Sequence, residues 1–275
     1  MNLNGMQFFK TEGNGNDFVA LLDLNSKIER DDIPEIARRL CNRNISIGGD
    51  GVIVIQPSDK ADLKMIYYNN DGSYAALCGN GLRTVGLLAY REKISGDKLT
   101  VETDSGISML EVTGPNMVRN SFNSPKIVKK DMKVKVSSGD FVGNLIDVGI
   151  PYFCVSVKDL KSLKTIDVDN VGAQIRKHPD FGVEGSNATF VSIEDEHNIR
   201  IRIFERGIEG ETLSSGTGSY SSAVSSVISG FTLPPVKVHS PGGSITVDFQ
   251  YKDNAIEHPT LEGSARIVFK GEILD

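Results

Sequence analysis

Leu77-Cys78-Gly79-Asn80-Gly81-Leu82-Arg83 and Ser214-Ser215-Gly216-Thr217-Gly218-Ser219-Tyr220 read alike: a thiol or hydroxyl residue, a Gly-(Asn/Thr)-Gly triplet, then a helix. Cys78 and Ser215 stand 137 positions apart (215 − 78), half the length of a 275-residue chain. Gly48 of Ile47-Gly48-Gly49-Asp50-Gly51 and Gly185 of Glu184-Gly185-Ser186-Asn187 are separated by the same 137 (185 − 48), each ahead of an apolar strand pattern. Two correspondences at one offset point to a tandem duplication.

A helix start leaves backbone N–H groups without intrahelical partners, and the helix dipole puts partial positive charge there. Glycines flanking Asn80 and Thr217 clear the way for a carboxylate to approach that backbone. A thiol at such an end has its anion, the reactive form, favoured. One helix start therefore offers an anion cradle and a base together. Two of them acting on one carbon would supply a proton-transferring group for each of its faces, which inversion of a stereocentre without a cofactor requires.

The two helices are expected over about Gly81–Lys93 and Gly218–Ile228. The first carries apolar Leu82, Val85, Leu87, Leu88 and Ala89 on more than one side, and the second is crowded with small residues, Ser219, Ser221, Ser222, Ala223, Ser225 and Ser226. A helix without a polar face is one enclosed by other elements, here a curved sheet. Strand patterns over 18–22, 47–55, 63–68, 99–103, 126–136, 143–148, 199–204 and 244–249 supply the wrapping. A further helix is expected over about 32–41, where Ile33, Ile36, Ala37 and Leu40 recur at helical spacing with Pro34 in the first turn. Asn16, beside Gly13-Asn14-Gly15, is either a turn former or a ligand-facing amide. In both halves a strand ends in polar residues, Asn69-Asn70-Asp71 or Glu205-Arg206, shortly before the helix start, well placed to line a pocket.

The chain is 39% apolar and 24% charged, long enough for two domains of about 130 residues each. A net charge of −6 argues against nucleic acid as a partner. Three cysteines without a CxxC pair, and four histidines without ligand spacing, predict neither a disulfide framework nor a metal site. No apolar run approaches about 18 residues and residues 1–10 lack a signal pattern, so no membrane span is expected and a cytoplasmic location is.

Together, Gly13-Asn14-Gly15-Asn16-Asp17-Phe18, Gly48-Gly49-Asp50-Gly51, Asn69-Asn70-Asp71-Gly72-Ser73, Cys78-Gly79-Asn80-Gly81, Glu205-Arg206-Gly207, Gly210-Glu211-Thr212 and Leu261-Glu262-Gly263-Ser264-Ala265 resemble the diaminopimelate epimerase family over nearly the whole chain. The fold this resemblance implies is mixed α/β (α+β): two pseudo-symmetric domains, each a mixed, curved β-sheet wrapped around a central α-helix, with the active site between them. The expected domains are 1–120 with a returning C-terminal strand over 264–275, and 121–263. Carried over by position, Cys78 and Ser215 are the catalytic acid/base pair, assisted by Glu205. Gly79, Asn80, Gly216 and Thr217 would hold the reacting carboxylate of a small amino-acid substrate. Asn16, Asn69, Asn187 and Arg206 match further substrate-binding positions, and the guanidinium fork of Arg206 suits a distal carboxylate. The family further implies no cofactor, and often a homodimer.

Three positions depart from the family pattern. Ser215 stands where the family has a second cysteine, and an unassisted hydroxyl is a weak base. Gly149-Ile150-Pro151-Tyr152 stands in place of Gly-Asn-Pro-His, so Ile150 removes an amide from the substrate's distal end. Tyr152 replaces an imidazole expected beside the first thiol. Four accounts follow: an epimerase or racemase in which Glu205 activates Ser215; a single-base lyase, similar to the hydroxyproline dehydratase branch; a non-catalytic amino-acid-binding relative; and a laboratory Cys→Ser replacement, which would leave Ile150 and Tyr152 unexplained.

Overall fold

Apolar residues bring Gln7–Gly13 (β1) and Asn16–Leu22 (β2) into an antiparallel hairpin, its turn carried by Asn14 and Gly15 at φ 50° and 89°. Asn16 is thereby freed from the turn and opens β2. The computed structural model describes residues 3–274, which divide into two units, one running to Ser121 and resuming at Glu262, the other Phe122–Leu261.

In the first unit the hairpin is followed by α1 (Ile33–Leu40), β3 (Gly51–Gln56), β4 (Leu63–Asn69), α2 (Gly79–Arg91), β5 (Lys98–Thr103), β6 (Gly106–Gly114) and β7 (Met117–Ser121). β2 pairs parallel with β3, β3 antiparallel with β4, β4 parallel with β5 and β5 antiparallel with β6. α1 forms one residue inside its expected bounds and buries the predicted face, Ile33, Ile36, Ala37 and Leu40. α2 begins two residues earlier than expected, at Gly79, and is enclosed by β1, β2, β6, β7 and the last strand of the chain.

The second unit holds β8 (Lys126–Val136), β9 (Gly139–Asp147), β10 (Pro151–Ser156), α3 (Leu160–Thr165), α4 (Val168–Arg176), β11 (Asn187–Asp195), β12 (Asn198–Glu205), β13 (Gly210–Thr212), α5 (Gly216–Ile228), β14 (Val236–Ser240) and β15 (Gly243–Lys252). β16 (Ala255–Ser264) returns the chain to the first unit, where β17 (Arg266–Glu272) pairs antiparallel with β1. The succession of pairings repeats: β9–β10 antiparallel, β10–β11 parallel, β11–β12 antiparallel, β12–β14 parallel, β14–β15 antiparallel. α5 is enclosed by β9, β10, β11, β12, β14 and β15, as α2 is by its own strands.

Each unit has two cores, one on each face of its central strands. Ile53 and Ile55 of β3 pack with α2 residues such as Leu82, Val85 and Leu88, while Val52 and Val54 pack with α1. The unbroken apolar run of β3 follows from that, because a strand buried on both faces loses the polar half of its alternation. In the second unit Tyr152 and Cys154 of β10 join the α5 core, and Phe153 and Val155 face Leu163, Val168, Val171 and Ile175. The last four belong to α3 and α4, two short helices that no expectation covered. Asp159 and Asp167 cap them by accepting the N–H of Ser162 and Asn170.

Candidate active site

Cys78 is the N-cap of α2, with extended backbone (φ −126°, ψ 106°) and its Sγ accepting from Gly81 N at 3.5 Å. Ser215 caps α5 the same way (φ −143°, ψ 123°), its Oγ accepting from Gly218 N at 3.1 Å. In both helices the N–H of the third residue after the cap is thus satisfied, and the first two N–H groups, of Gly79 and Asn80 or Gly216 and Thr217, have no partner within the helix. Such groups are what a carboxylate needs.

Around Cys78 a chain of polar side chains orders the helix start. Asn80 Nδ2 donates to Asn16 Oδ1 at 2.6 Å, and Asn16 Nδ2 donates to Asp50 Oδ2 at 3.1 Å. Asn80 Oδ1 accepts from Arg83 Nη2 at 2.6 Å, and the same nitrogen reaches Asn14 Oδ1 at 2.8 Å. Arg83 is fully buried. Burial pulls its guanidinium down to about 10, with the charges of Cys78 and Glu12 acting the other way. Asn69, at the end of β4, accepts from Tyr67 Oη at 2.8 Å and donates to Ser73 Oγ at 2.9 Å.

Around Ser215 the cluster is one of hydroxyls closed by a carboxylate. Tyr152 Oη lies 3.2 Å from Ser215 Oγ and 2.8 Å from Thr217 Oγ1, and donates to Glu205 Oε1 at 3.0 Å. Thr212 Oγ1 donates to Glu205 Oε2 at 2.9 Å. Burial, and then the charge of Glu205, push the Tyr152 phenol well above its ordinary value, so it stays protonated. Within its own unit Tyr152 stands against the second motif. The reason is register: it is the second residue of β10, whose parallel pairing with β11 sets it opposite Asn187, on the face that packs against α5.

Asn187 is buried and spends its amide on backbone, donating to Pro151 O at 3.0 Å and accepting from Arg206 N at 2.8 Å. It therefore fixes where β12 ends and Arg206 begins. The Arg206 guanidinium pairs with Glu184 at 3.0 Å. Ile150 packs against the α5 core. Of the sequence-derived residues, Cys78, Gly79, Asn80 and Asn16 gather at the first helix start, with Asn69 at the end of β4 in the same unit. Ser215, Gly216, Thr217, Glu205, Asn187 and Arg206 gather in the second. Arg83, Asn14, Asp50 and Thr212 were missed; Arg83 had one legible signal, a charge in a helix without a polar face.

The other two cysteines, Cys41 and Cys154, are buried, and burial pushes each thiol up to about 12. Among the described residues no group of three His, Cys, Asp or Glu side chains could hold a metal ion, and no helix is long and apolar enough to cross a membrane.

The family model for diaminopimelate epimerase matches residues 8–128 and 144–268. The chain belongs to the diaminopimelate epimerase family. Among its relatives, the diaminopimelate epimerase of Desulfitobacterium hafniense is 35% identical, the match covering 98% of this chain and 99% of that one. Those of Caldanaerobacter subterraneus subsp. tengcongensis and Aquifex aeolicus are 37% and 33% identical, covering 98% of this chain and 99% and 98% of theirs. Solved structures share the fold at lower identity. A phenazine biosynthesis protein of the PhzF family from Bacillus anthracis matches with a TM-score of 0.75 at 16% identity, covering 98% of this chain and 99% of its own. A probable proline racemase from Agrobacterium radiobacter matches at 0.69 and 17%, covering 98% and 93%. Membership of the diaminopimelate epimerase family makes the chain an isomerase.

Proposed function

We propose that this member of the family interconverts LL- and meso-diaminopimelate, removing the proton from one α-carbon and returning one on the other face with its own side chains rather than a cofactor. The observation that carries the reading is the repeated cap: two helix starts, each with a hydrogen-bonded thiol or hydroxyl at its head and two backbone N–H groups unused by the helix. As the α-proton leaves, negative charge builds on the substrate carboxylate, and a fixed helix start stabilises that charge without reorganising. In this reading Cys78 and Ser215 exchange protons with the α-carbon, Glu205 supports Ser215, and Gly79, Asn80, Gly216 and Thr217 hold the reacting carboxylate. Arg206 takes the distal carboxylate. Its present partner Glu184 is an exposed side chain, and a surface pair of that kind, worth about 1 kcal/mol or less, is readily exchanged for a substrate group. Asn16, Asn69 and Asn187 order the surrounding backbone and amides. The same reading places the protein in lysine biosynthesis, in the cytoplasm, as a homodimer, on the strength of the family resemblance.

A second reading rests on Ser215: a lyase needs only the base Cys78. Proton NMR in deuterated water with LL- and meso-diaminopimelate separates the two. The expected result is exchange of the α-proton with interconversion of the isomers, reduced at least about 100-fold in Cys78→Ala. An unsaturated or keto-acid product would replace the epimerase reading by the lyase one, and no exchange with either isomer would remove diaminopimelate as the substrate.

A further inference from the structure

A serine hydroxyl cannot hand its proton to solvent and wait as an alkoxide; it acts as a base only when a second group takes that proton. Glu205 is the nearby carboxylate, but its two oxygens are met by Tyr152 Oη and Thr212 Oγ1, and Ser215 is reached through the tyrosine. A phenol has one proton and two acceptor positions. The proton of Tyr152 points at Glu205, so the Ser215 and Thr217 hydroxyls, at 3.2 and 2.8 Å, fill its acceptor side. Ser215 Oγ in turn accepts from Gly218 N and donates toward Tyr152; with the Thr217 hydroxyl, 3.4 Å away, turned to Tyr152 as its donor, one lone pair is left for a substrate proton.

We propose that Tyr152 is a positioning residue that conducts the proton between Ser215 Oγ and Glu205, so that the three side chains together replace the second thiol in the reaction proposed above, on which this inference rests. In the abstraction direction the substrate Cα–H bond breaks and a new O–H bond forms on Ser215. The original Ser215 proton passes to Tyr152 Oη, and the Tyr152 proton passes to Glu205 Oε1. The electron pair of the broken bond remains on the substrate as its carbanion, and Glu205 ends as a carboxylic acid. Protonation of the carbanion runs the same three transfers in reverse. Tyr152 is fully buried, flanked by Ile146 on β9 and Asn187 on β11, neither of which titrates. Glu205 is the charged group that faces it, so the proton comes to rest there and not on the phenol.

The inference is tested by Tyr152→Phe in two backgrounds, the natural chain and Ser215→Cys, whose thiolate needs no conduit. Inversion should fall about 100-fold or more in the first background and less than about fivefold in the second, with KM little changed. Equal losses in both would mean that the phenol merely fills space and would overturn the proposal. A substrate-free arm follows the ring carbon bearing the hydroxyl in ¹³C-labelled tyrosine, the Tyr152 signal being assigned by its absence from Tyr152→Phe. That signal should shift in one step as the pH is lowered, and the step should vanish in Glu205→Gln. A flat signal in the natural protein overturns the conduit. If the natural protein shows the step and leaves both diaminopimelate isomers untouched, the substrate assignment fails while the conduit stands.

Discussion

The three cysteines of this chain differ in environment as well as in their neighbours in sequence. Cys41 and Cys154 are sealed in cores that push their thiols up to about 12, whereas Cys78 is half-buried at the head of a helix. Since the thiolate is the reactive form, brief alkylation of the native protein at pH 8 with iodoacetamide should modify Cys78 alone, as read by mass spectrometry. Labelling of a second thiol without denaturant would contradict the burial described. The cysteine motif is legible because its parts are adjacent. Arg83 lies in plain view five residues along, yet a helical arginine ordinarily snorkels to water. Its burial, with Asn14 and Asn80 as partners, depends on Gly263, where a Cβ would stand 2.6 Å from Asn14 Oδ1 and 2.9 Å from Arg83 Nε. That glycine is 180 positions away (263 − 83), and no local pattern connects the two.

At the scale of elements, both helix starts need their second glycine for contact rather than for conformation. A Cβ on Gly218 would stand 2.9 Å from Ile203 Cδ1 and 3.1 Å from Ser215 Oγ, and one on Gly81 would stand 3.0 Å from Ile53 Cδ1. Alanine favours a helix over glycine by about 1 kcal/mol, and overpacking a core costs about 1–3 kcal/mol. Gly218→Ala should therefore change stability by less than about 2 kcal/mol while lowering kcat about tenfold or more, since the crowding falls on the Ser215 hydroxyl. A variant as active as its parent would show that the cap tolerates displacement. α2 and α5 were legible because a helix lacking a polar face is conspicuous. α3 and α4 were not: six residues are too few for the period to stand out, and the buried face of α4, Val168, Val171 and Ile175, is broken by Gly172. Their capping aspartates, Asp159 and Asp167, are a signal that could have found them.

On the scale of the molecule, each unit wraps strands about a central helix and covers their outer face with shorter ones, and in the first unit a charge cluster ties the β1–β2 hairpin to the loop ahead of β3. Lys10 pairs with Asp17 at 2.6 Å, Arg43 with Asp17 at 2.5 Å and with Asp50 at 2.8 Å, and Lys10 Nζ also donates to Gly48 O. Burial opposes the Asp17 charge, but hydrogen bonds and attraction from Arg43 and Lys10 prevail and hold the carboxyl down at about 2. A group lowered on folding stabilises above its unfolded value, near 4, and that contribution is lost as pH falls toward its folded one. Asp17→Asn should cost about 2 kcal/mol at pH 7 in urea unfolding, with the gap closing between about pH 4 and pH 2. A gap independent of pH over that window would rule the ion pairs out as its source. The chain itself announced two similar halves, two helix starts with a thiol or hydroxyl residue at each head, and strands to enclose both helices. Those properties live in adjacent residues and in one constant spacing. Only the folded chain decided that Tyr152 serves Ser215, that Glu205 reaches the serine through it, that Asn187 spends its amide on backbone, and that Arg83 is buried among asparagines. Each of these is a meeting of distant segments set by strand register, and register comes from cores packed on both faces of a sheet rather than from any short run of residues.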